Sequence, residues 1–397
     1  MVDLVSMAKG YNAVFLSGKA DIDIRREDEN IARSAFLPQA SVNVDIVTET
    51  RETGRESRNN LRFSLSETYS LSRLRQWEAA KKTSEATRRR YDAAKQTLYL
   101  QVINAWLLAQ ESADGLRLIE ARIKNLTEQL KRAEALAEAG RGTRIGFLQS
   151  RAGLANAQAQ LARAKNNLAV YESDIAHVTG GKARLVSLNP LASFPALMAA
   201  EEWLLQTSKK SPTQAVFRAE TEGLRILLKA AEEAVFPSFS ASAQVSSADN
   251  DLSRYDRNLV LSLQQLIFSG GRISAEKRKL LAQINQARNN LYATQRSEAQ
   301  EVRRLHAEIL AGLAEINAFL VAEKASQSAL KAIVVGFGEG VYLATDVLDG
   351  EEELFSVQSQ LRQSRYNHLR NWAALHTLSG QADDDFVALL DGFFVEH

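Results

Sequence analysis

The sequence predicts a mainly α-helical fold with a small β-component, built as a duplication. Three observations lead to this fold class. Helix-favouring residues dominate the 397-residue chain, which has only five prolines. Two halves of about 200 residues repeat one plan. Each half also contains two short segments in which apolar and polar residues alternate, as in a β-strand with one apolar face.

The duplication is visible in single residues. The stretch "EAGRGTRIGFLQSRAGLANAQAQL" (138–161) corresponds to 334–361, and the following pairs of identical residues lie 200 positions apart: Leu148 and Leu348, Leu154 and Leu354, Gln158 and Gln358, Gln160 and Gln360, Leu161 and Leu361. The helices that follow end at matching glycines, Gly180 and Gly380. We therefore expect a first repeat over 1–199 and a second over 200–397.

The two repeats share one order of elements. The first is expected to contain a helix over 3–34 that ends before Pro38, strands at about 39–50 and 59–68, a long helix at about 71–139 and a return helix at about 146–179. The second is expected to contain a helix at about 212–234, strands at about 238–247 and 257–268, a long helix at about 272–335 and a return helix at about 346–379.

The long helices carry the apolar pattern of a coiled coil. In the first, 4-3 spacing relates Leu98, Val102, Ala105 and Ala109, then Leu116, Ile119, Ile123, Leu126, Leu130, Ala133 and Ala137. At about 1.5 Å per residue, such a helix reaches on the order of 100 Å. The many small residues on this seam predict close helix packing without a thick core.

The four strands cannot form a closed barrel within one chain. No window of 18 or more apolar residues is visible, so we expect no membrane-spanning helix and any contact with a bilayer to involve the strands. The N-terminal "MVDLVSMAKG" shows no signal-peptide pattern. Closed membrane barrels need about eight or more strands, so several chains would have to pool theirs. The alternative is a soluble hairpin pair at the end of a coiled coil.

Several motifs resemble the TolC-type outer-membrane factors. They are the "FLP" and "VFP" entries to the strands, "QQLIFSGGR" (264–272), "AGRGTR" (139–144), "TDVLD" (345–349) and the helix-ending "TG" and "SG". The resemblance covers essentially the whole chain. It implies a homotrimer in the outer membrane of a Gram-negative bacterium, with a twelve-stranded transmembrane β-barrel continuing into an α-helical barrel in the periplasm. It also implies two partners, a periplasmic adaptor protein and an inner-membrane ABC transporter or other pump.

The same resemblance implies a function for two carboxylates, Asp346 and Asp349. They are three residues apart at the start of the second return helix, and hence lie on one face. In the family, two such aspartates line the narrowest point of the entrance, where rings of carboxylates attract cations and repel anions. The alternative is acidic charge that simply favours the start of a helix.

The turns that join long and return helices are expected at the periplasmic tip. The resemblance implies an adaptor-docking role for their small residues, which are Gly140, Gly142, Thr143, Gly336, Gly338 and Gly340. The family's gate is tied by an arginine, an aspartate and a tyrosine, whose positions are here Tyr342, Gly146 and Phe337. Arg144 is present in the other half. We therefore expect a gate formed by Arg144, Tyr342 and Phe337 and a looser closed state.

Other classes of function are disfavoured. A net charge of +1 gives no field that would attract nucleic acid. The chain has no cysteine, and its five histidines show no metal-ligand spacing, so neither a metal nor a cofactor is expected. Glycines 336, 338 and 340 follow no strand and precede no Lys-Ser/Thr, which favours a tight helix-helix turn over a nucleotide loop. No catalytic arrangement of side chains is visible, and we expect no enzyme.

The sequence therefore predicts a passive exit duct. We favour type I protein secretion over small-molecule efflux, because lipid-anchored members are common in drug efflux and the sequence has no cysteine to acylate. A soluble coiled-coil scaffold is the alternative from another class.

Overall fold

The computed structural model describes residues 1–51, 54–139, 143–189, 194, 196–247 and 255–395, without the side chains of 47–51, 54–59 and 395. These residues form two compact units. The first comprises 1–17, 92–212 and 295–397, and the second comprises 18–91 and 213–294. The unit boundaries differ from the expected repeat boundary at 199/200, because each half of the chain contributes equivalent elements to both units.

The described residues are mostly helical. The helices are α1 (Val2–Tyr11), α2 (Ala13–Ser34), α3 (Leu71–Glu138), α4 (Arg144–Thr179), α5 (Ala200–Lys210), α6 (Pro212–Glu233), α7 (Arg272–Gly338), α8 (Ala344–Leu378) and α9 (Asp384–Asp391). The strands are β1 (Gln39–Arg51), β2 (Gly54–Tyr69), β3 (Ser187–Leu188), β4 (Ser238–Ser247), β5 (Tyr255–Gln264) and β6 (Phe394–Val395).

The expected single helix over 3–34 is wrong at one point. Asn12 has an extended backbone (φ −66°, ψ 111°) and separates α1 from α2. Its side-chain Oδ1 accepts a hydrogen bond from the Phe15 N–H at 3.0 Å. Asparagine favours such a cap over the interior of a helix, because its short side chain competes for nearby backbone N–H groups. Asn12 thus ends one helix and starts the next.

β1, β2, β4 and β5 form one antiparallel sheet in the order β1-β2-β4-β5. The ladder between β4 and β5 ends at Ser238 and Gln264, before the expected strand end near 268. The residue preceding Ser238 is Pro237, which has no N–H to donate to a longer ladder. Beyond the end of the strand, Ile267 is 94% exposed.

One face of the sheet is apolar and exposed. Alternation places Val42 (61% exposed) and Leu261 (63% exposed) on this face, together with Val44, Ile46, Leu61, Phe63, Leu65, Phe239, Val245, Leu259 and Leu263. The opposite face is polar, and there the Ser41 and Ser64 hydroxyl oxygens lie 2.8 Å apart. A soluble sheet would bury this apolar face.

The first unit has a well-packed core. Its buried side chains include the following residues of five helices, α3, α5, α7, α8 and α9: Tyr99, Ile103, Trp106, Leu107, Trp203, Val302, Leu305, Tyr366, Leu369, Leu375, Val387 and Leu390. In the second unit the buried residues are smaller, with Ala79, Ala86, Ala230 and Ala231 prominent among them. Small residues bring helix backbones close together and leave little core between them.

The membrane-spanning potential of α7 differs from expectation. A window of this helix has a mean hydropathy of 1.4, enough by length and composition to cross a membrane. One such helix is weak evidence of a membrane span, because the core helices of soluble proteins pass the same test. The expectation that no helix spans a membrane counted only unbroken apolar runs. The mean hydropathy stays high even where isolated charged residues interrupt the apolar ones.

Candidate functional site

The turn between α7 and α8 is a Schellman motif. The Val341 N–H donates to the Gly336 carbonyl at 2.8 Å, and the Gly340 N–H donates to the Phe337 carbonyl at 3.2 Å. Gly340 has φ +81°, the left-handed conformation that this motif requires and glycine adopts without strain. The expected helix-helix turn is confirmed.

Gly336 has a packing role in the same turn. It is buried, and a Cβ added to it would lie 2.6 Å from Cδ2 of the Tyr342 ring. Tyr342 itself is 43% exposed. Gly338, in contrast, is exposed and has open space around its Cα. Among these glycines, therefore, two serve the turn itself and Gly338 is free to approach another surface.

The turn between α3 and α4 is only partly visible, because Gly140 and Gly142 lie outside the described residues. Thr143 caps α4, and its hydroxyl accepts a hydrogen bond from the Gly146 N–H at 3.1 Å. A Cβ added to Gly146 would lie 3.3 Å from Cβ of Ala344. The first turns of α4 and α8 are thus in close proximity.

The two aspartates lie at the start of α8. Asp346 is half-buried, and its Oδ2 accepts a hydrogen bond from the Leu343 N–H at 2.7 Å. This is one half of a capping box, since the Leu343 side chain has no acceptor to complete the other half. Asp349 is exposed, and its carboxylate accepts no hydrogen bond from the described residues. The backbone therefore fixes Asp346 in place, while the carboxylate of Asp349 remains available.

The three expected gate residues are only partly brought together. Phe337 and Tyr342 line a cavity of about 280 Å³, whose other lining residues include Gly146 and Ala344. The exposed Arg144 does not line this cavity, and it forms no ion pair with any other described residue. Phe337 and Tyr342 thus line one cavity, and Arg144 lies outside its lining.

Sequence reasoning missed a buried carboxyl group nearby. Glu351, two residues after Asp349, is only 8% exposed and lines a cavity of about 670 Å³ between α3, α4, α7 and α8. Burial raises the pKa of this carboxyl to about 7, although the positive charge of Arg122 opposes the rise. The 4-3 spacing of Val347, Glu351 and Leu354 could have revealed it, because it places a carboxylate on an apolar seam.

Arg122 of α3 is the cation that acts on Glu351, but its hydrogen bonds go elsewhere. Its Nη2 donates to the carboxylate of Glu352, and its guanidinium lies 4.3 Å from the centre of the Phe355 ring. The Oε2 atom of Glu351 has no hydrogen-bond partner among the described residues. The ion pair thus goes to the exposed glutamate and not to the buried one.

The described residues contain no group of three or more His, Cys, Asp or Glu side chains that could hold a metal ion.

Comparison with known proteins gives one family. The model of the family described as "Outer membrane efflux protein" matches residues 4–181 and again 203–381. The outer membrane protein TolC of Escherichia coli K12 is 25% identical over 427 residues, with 98% of this chain and 84% of that protein covered. The proteases secretion protein PrtF of Dickeya chrysanthemi is 23% identical over 317 residues, which cover 77% of this chain and 69% of that protein. Among solved structures, CusC has the same fold, with a TM-score of 0.84, 19% identity and coverage of 96% of this chain and 92% of that one.

Proposed function

We propose that this chain, which belongs to the outer membrane efflux protein family, is the exit duct of a type I protein secretion system. Members of this family are channels of the Gram-negative outer membrane with a helical barrel in the periplasm, and they are not enzymes. They act in tripartite systems. The protein is thus an outer-membrane channel, and the cargo is what the proposal adds.

The proposal that the cargo is protein rests on the similarity to PrtF, a proteases secretion protein. Small-molecule efflux is the second candidate, favoured by the description of the family itself. Both functions use the same kind of duct, so the difference depends on which adaptor and pump the periplasmic tip accepts.

The sheet supports a trimer. Its outer strands, β1 and β5, each have one edge that pairs with no other described strand. An open edge in lipid leaves N–H and C=O groups unpaired, at a cost of several kcal/mol each. We infer that β5 of one chain pairs with β1 of the next, so that three chains close a barrel of twelve strands. The exposed apolar face then meets lipid, and the polar face lines the lumen.

The two aspartates support an acidic constriction. In a trimer, Asp346 and Asp349 would each contribute three carboxylates at the start of α8. The capping bond of Asp346 limits its movement, so this ring would keep its position while Asp349 adapts. Rings of carboxylates at a narrow point favour cations over anions.

The tips support contact with a periplasmic adaptor of an inner-membrane ABC transporter or other pump. We assign the contact to Thr143 and Gly338, which are exposed, and to Gly140 and Gly142 in the companion turn. Gly336 and Gly340 are not assigned to the contact itself, because their role is to shape the turn that carries Gly338. With Phe337 and Tyr342 in place of the polar gate that the family resemblance implies, the closed tip is expected to be held weakly.

Complementation tests the cargo. The chain is expressed in a Dickeya chrysanthemi strain that lacks PrtF and in an Escherichia coli strain that lacks TolC, with the empty vector as control in each. We expect protease activity in the medium of the first strain and no rise in drug resistance in the second. Restored drug resistance without protease secretion would instead assign the chain to efflux.

A further inference from the structure

Glu351 is a titratable group that the proposed constriction does not use. It lies in α8 five residues after Asp346 and two after Asp349, so any movement of this helical turn moves both aspartates. Its neighbours on the seam are Val347, which is buried, and Leu354, which is half-buried. A charged carboxylate at this position would lose most of its hydration unless the packing around it opened.

The charged groups that face Glu351 come from two helices. The cavity is lined by Glu128 and Arg132 of α3 and by Lys331 of α7, while α4 contributes the uncharged Ser150. Arg122 of α3 acts on Glu351 through its charge, although it is hydrogen-bonded to Glu352. The Nε atom of Arg122 has no hydrogen-bond partner among the described residues. The carboxylate of Glu351, once ionised, could therefore compete with that of Glu352 for the guanidinium of Arg122.

We propose that Glu351 positions the start of α8 according to its protonation, and thereby sets how tightly the two aspartates are held at the constriction. The neutral carboxyl group packs between α3, α4 and α7. The ionised group draws water into the cavity or takes Arg122 from Glu352, and either change loosens this turn of α8. This inference rests on the proposed constriction, where Glu351 acts as a positioning residue and not as part of the acidic rings.

The direction of the pH effect follows from the raised pKa. In the packed state the pKa of Glu351 is about 7, above its ordinary value of 4.5. Between these two values the packed state binds a proton that the loosened state has lost. The packed state is therefore favoured at low pH and weakens as the pH rises from about 4.5 to 7, with no further change above that range.

The experiment is amide hydrogen exchange of the purified trimer from pH 5 to 9. Protection factors, in which the intrinsic pH dependence of exchange is divided out, are measured for residues 347–355. In the wild type we expect protection to fall by about tenfold or more between pH 5 and 8 and then to level off. Glu351→Gln should show constant protection close to the wild-type value at pH 5, since glutamine reproduces the neutral group.

Two further variants keep the proposal testable. Glu353→Gln removes an exposed carboxylate of the same helix and should behave as the wild type. Arg122→Gln should shift the midpoint to higher pH, because Arg122 favours the ionised form of Glu351. A wild-type pH dependence that persists in Glu351→Gln would overturn the proposal, as would constant protection in the wild type.

Single-channel currents over the same pH range separate this inference from the proposed function. We expect channel opening to rise with pH in the wild type and in Glu353→Gln, and to stay flat in Glu351→Gln. If no variant conducts, the proposed channel fails, and the exchange data alone decide whether Glu351 controls the packing of α8.

Discussion

At the scale of single residues, the clearest structural requirement is the left-handed conformation of Gly340. Its φ of +81° allows the two hydrogen bonds that end α7 and turn the chain toward α8. Gly180 and Gly380 have similar values, +72° and +70°, after the two return helices. A side chain at any of these positions would meet its own backbone.

Gly340→Ala is therefore expected to destabilise the tip by about 1 kcal/mol, from strain in the left-handed conformation. Gly338→Ala is the matched control, since it lies in the last turn of α7 with open space around its Cα. Thermal denaturation of both trimers checks this, with a lower Tm for Gly340→Ala than for Gly338→Ala. Equal melting temperatures would contradict the role given to Gly340.

Residue roles were predictable where they follow from local chemistry. The positions of Asp346 and Asp349 at a helix start could be read from "TDVLD" and its neighbouring turn. The capping bond of Asp346 could not, because an acidic residue in a first turn often faces solvent. Glu351 was missed because its burial depends on α3 and α7, which are distant in sequence.

At the scale of elements, the two faces of the sheet require different surroundings. Neighbouring residues of β5 have opposite environments, with Leu261 on the exposed apolar face and Ser262 on the polar one. This difference is what a strand with one face in lipid requires.

Leu261→Lys is expected to destabilise the membrane-inserted barrel by about 2 kcal/mol or more, because it places a charge on the lipid side. Ser262→Lys, one residue further, places the same charge in the lumen and should be tolerated. The amount of folded trimer in outer-membrane fractions measures both. Comparable losses in the two variants would argue against the assignment of faces.

Long helices were the easiest elements to foresee, because their 4-3 apolar pattern extends over many turns. The sequence places a long helix at about 71–139, and α3 spans Leu71–Glu138. Short elements were not foreseen. α5 lies in a stretch without apolar period, and the pairing of β3 with β6 joins segments about 200 residues apart. Such contacts depend on tertiary structure and leave little local pattern.

At the scale of the whole molecule, the fold class was predictable because duplication, strand alternation and helix length agree with one another. The division into two compact units was not, since each takes segments from both halves of the chain. A repeat in sequence indicates equivalent elements, but it does not say which of them pack together.

The proposed molecule is a conducting trimer with an acidic constriction. The most direct test is the current through purified protein in a planar lipid bilayer under a salt gradient, which gives the ratio of cation to anion permeability. The wild type should favour cations, and Asp346→Ala combined with Asp349→Ala should bring the ratio close to one. Glu353→Ala, which removes an exposed carboxylate further along α8, should leave the ratio near that of the wild type. A double variant that conducts with unchanged cation preference would contradict the constriction, and a protein that never inserts would contradict the channel itself.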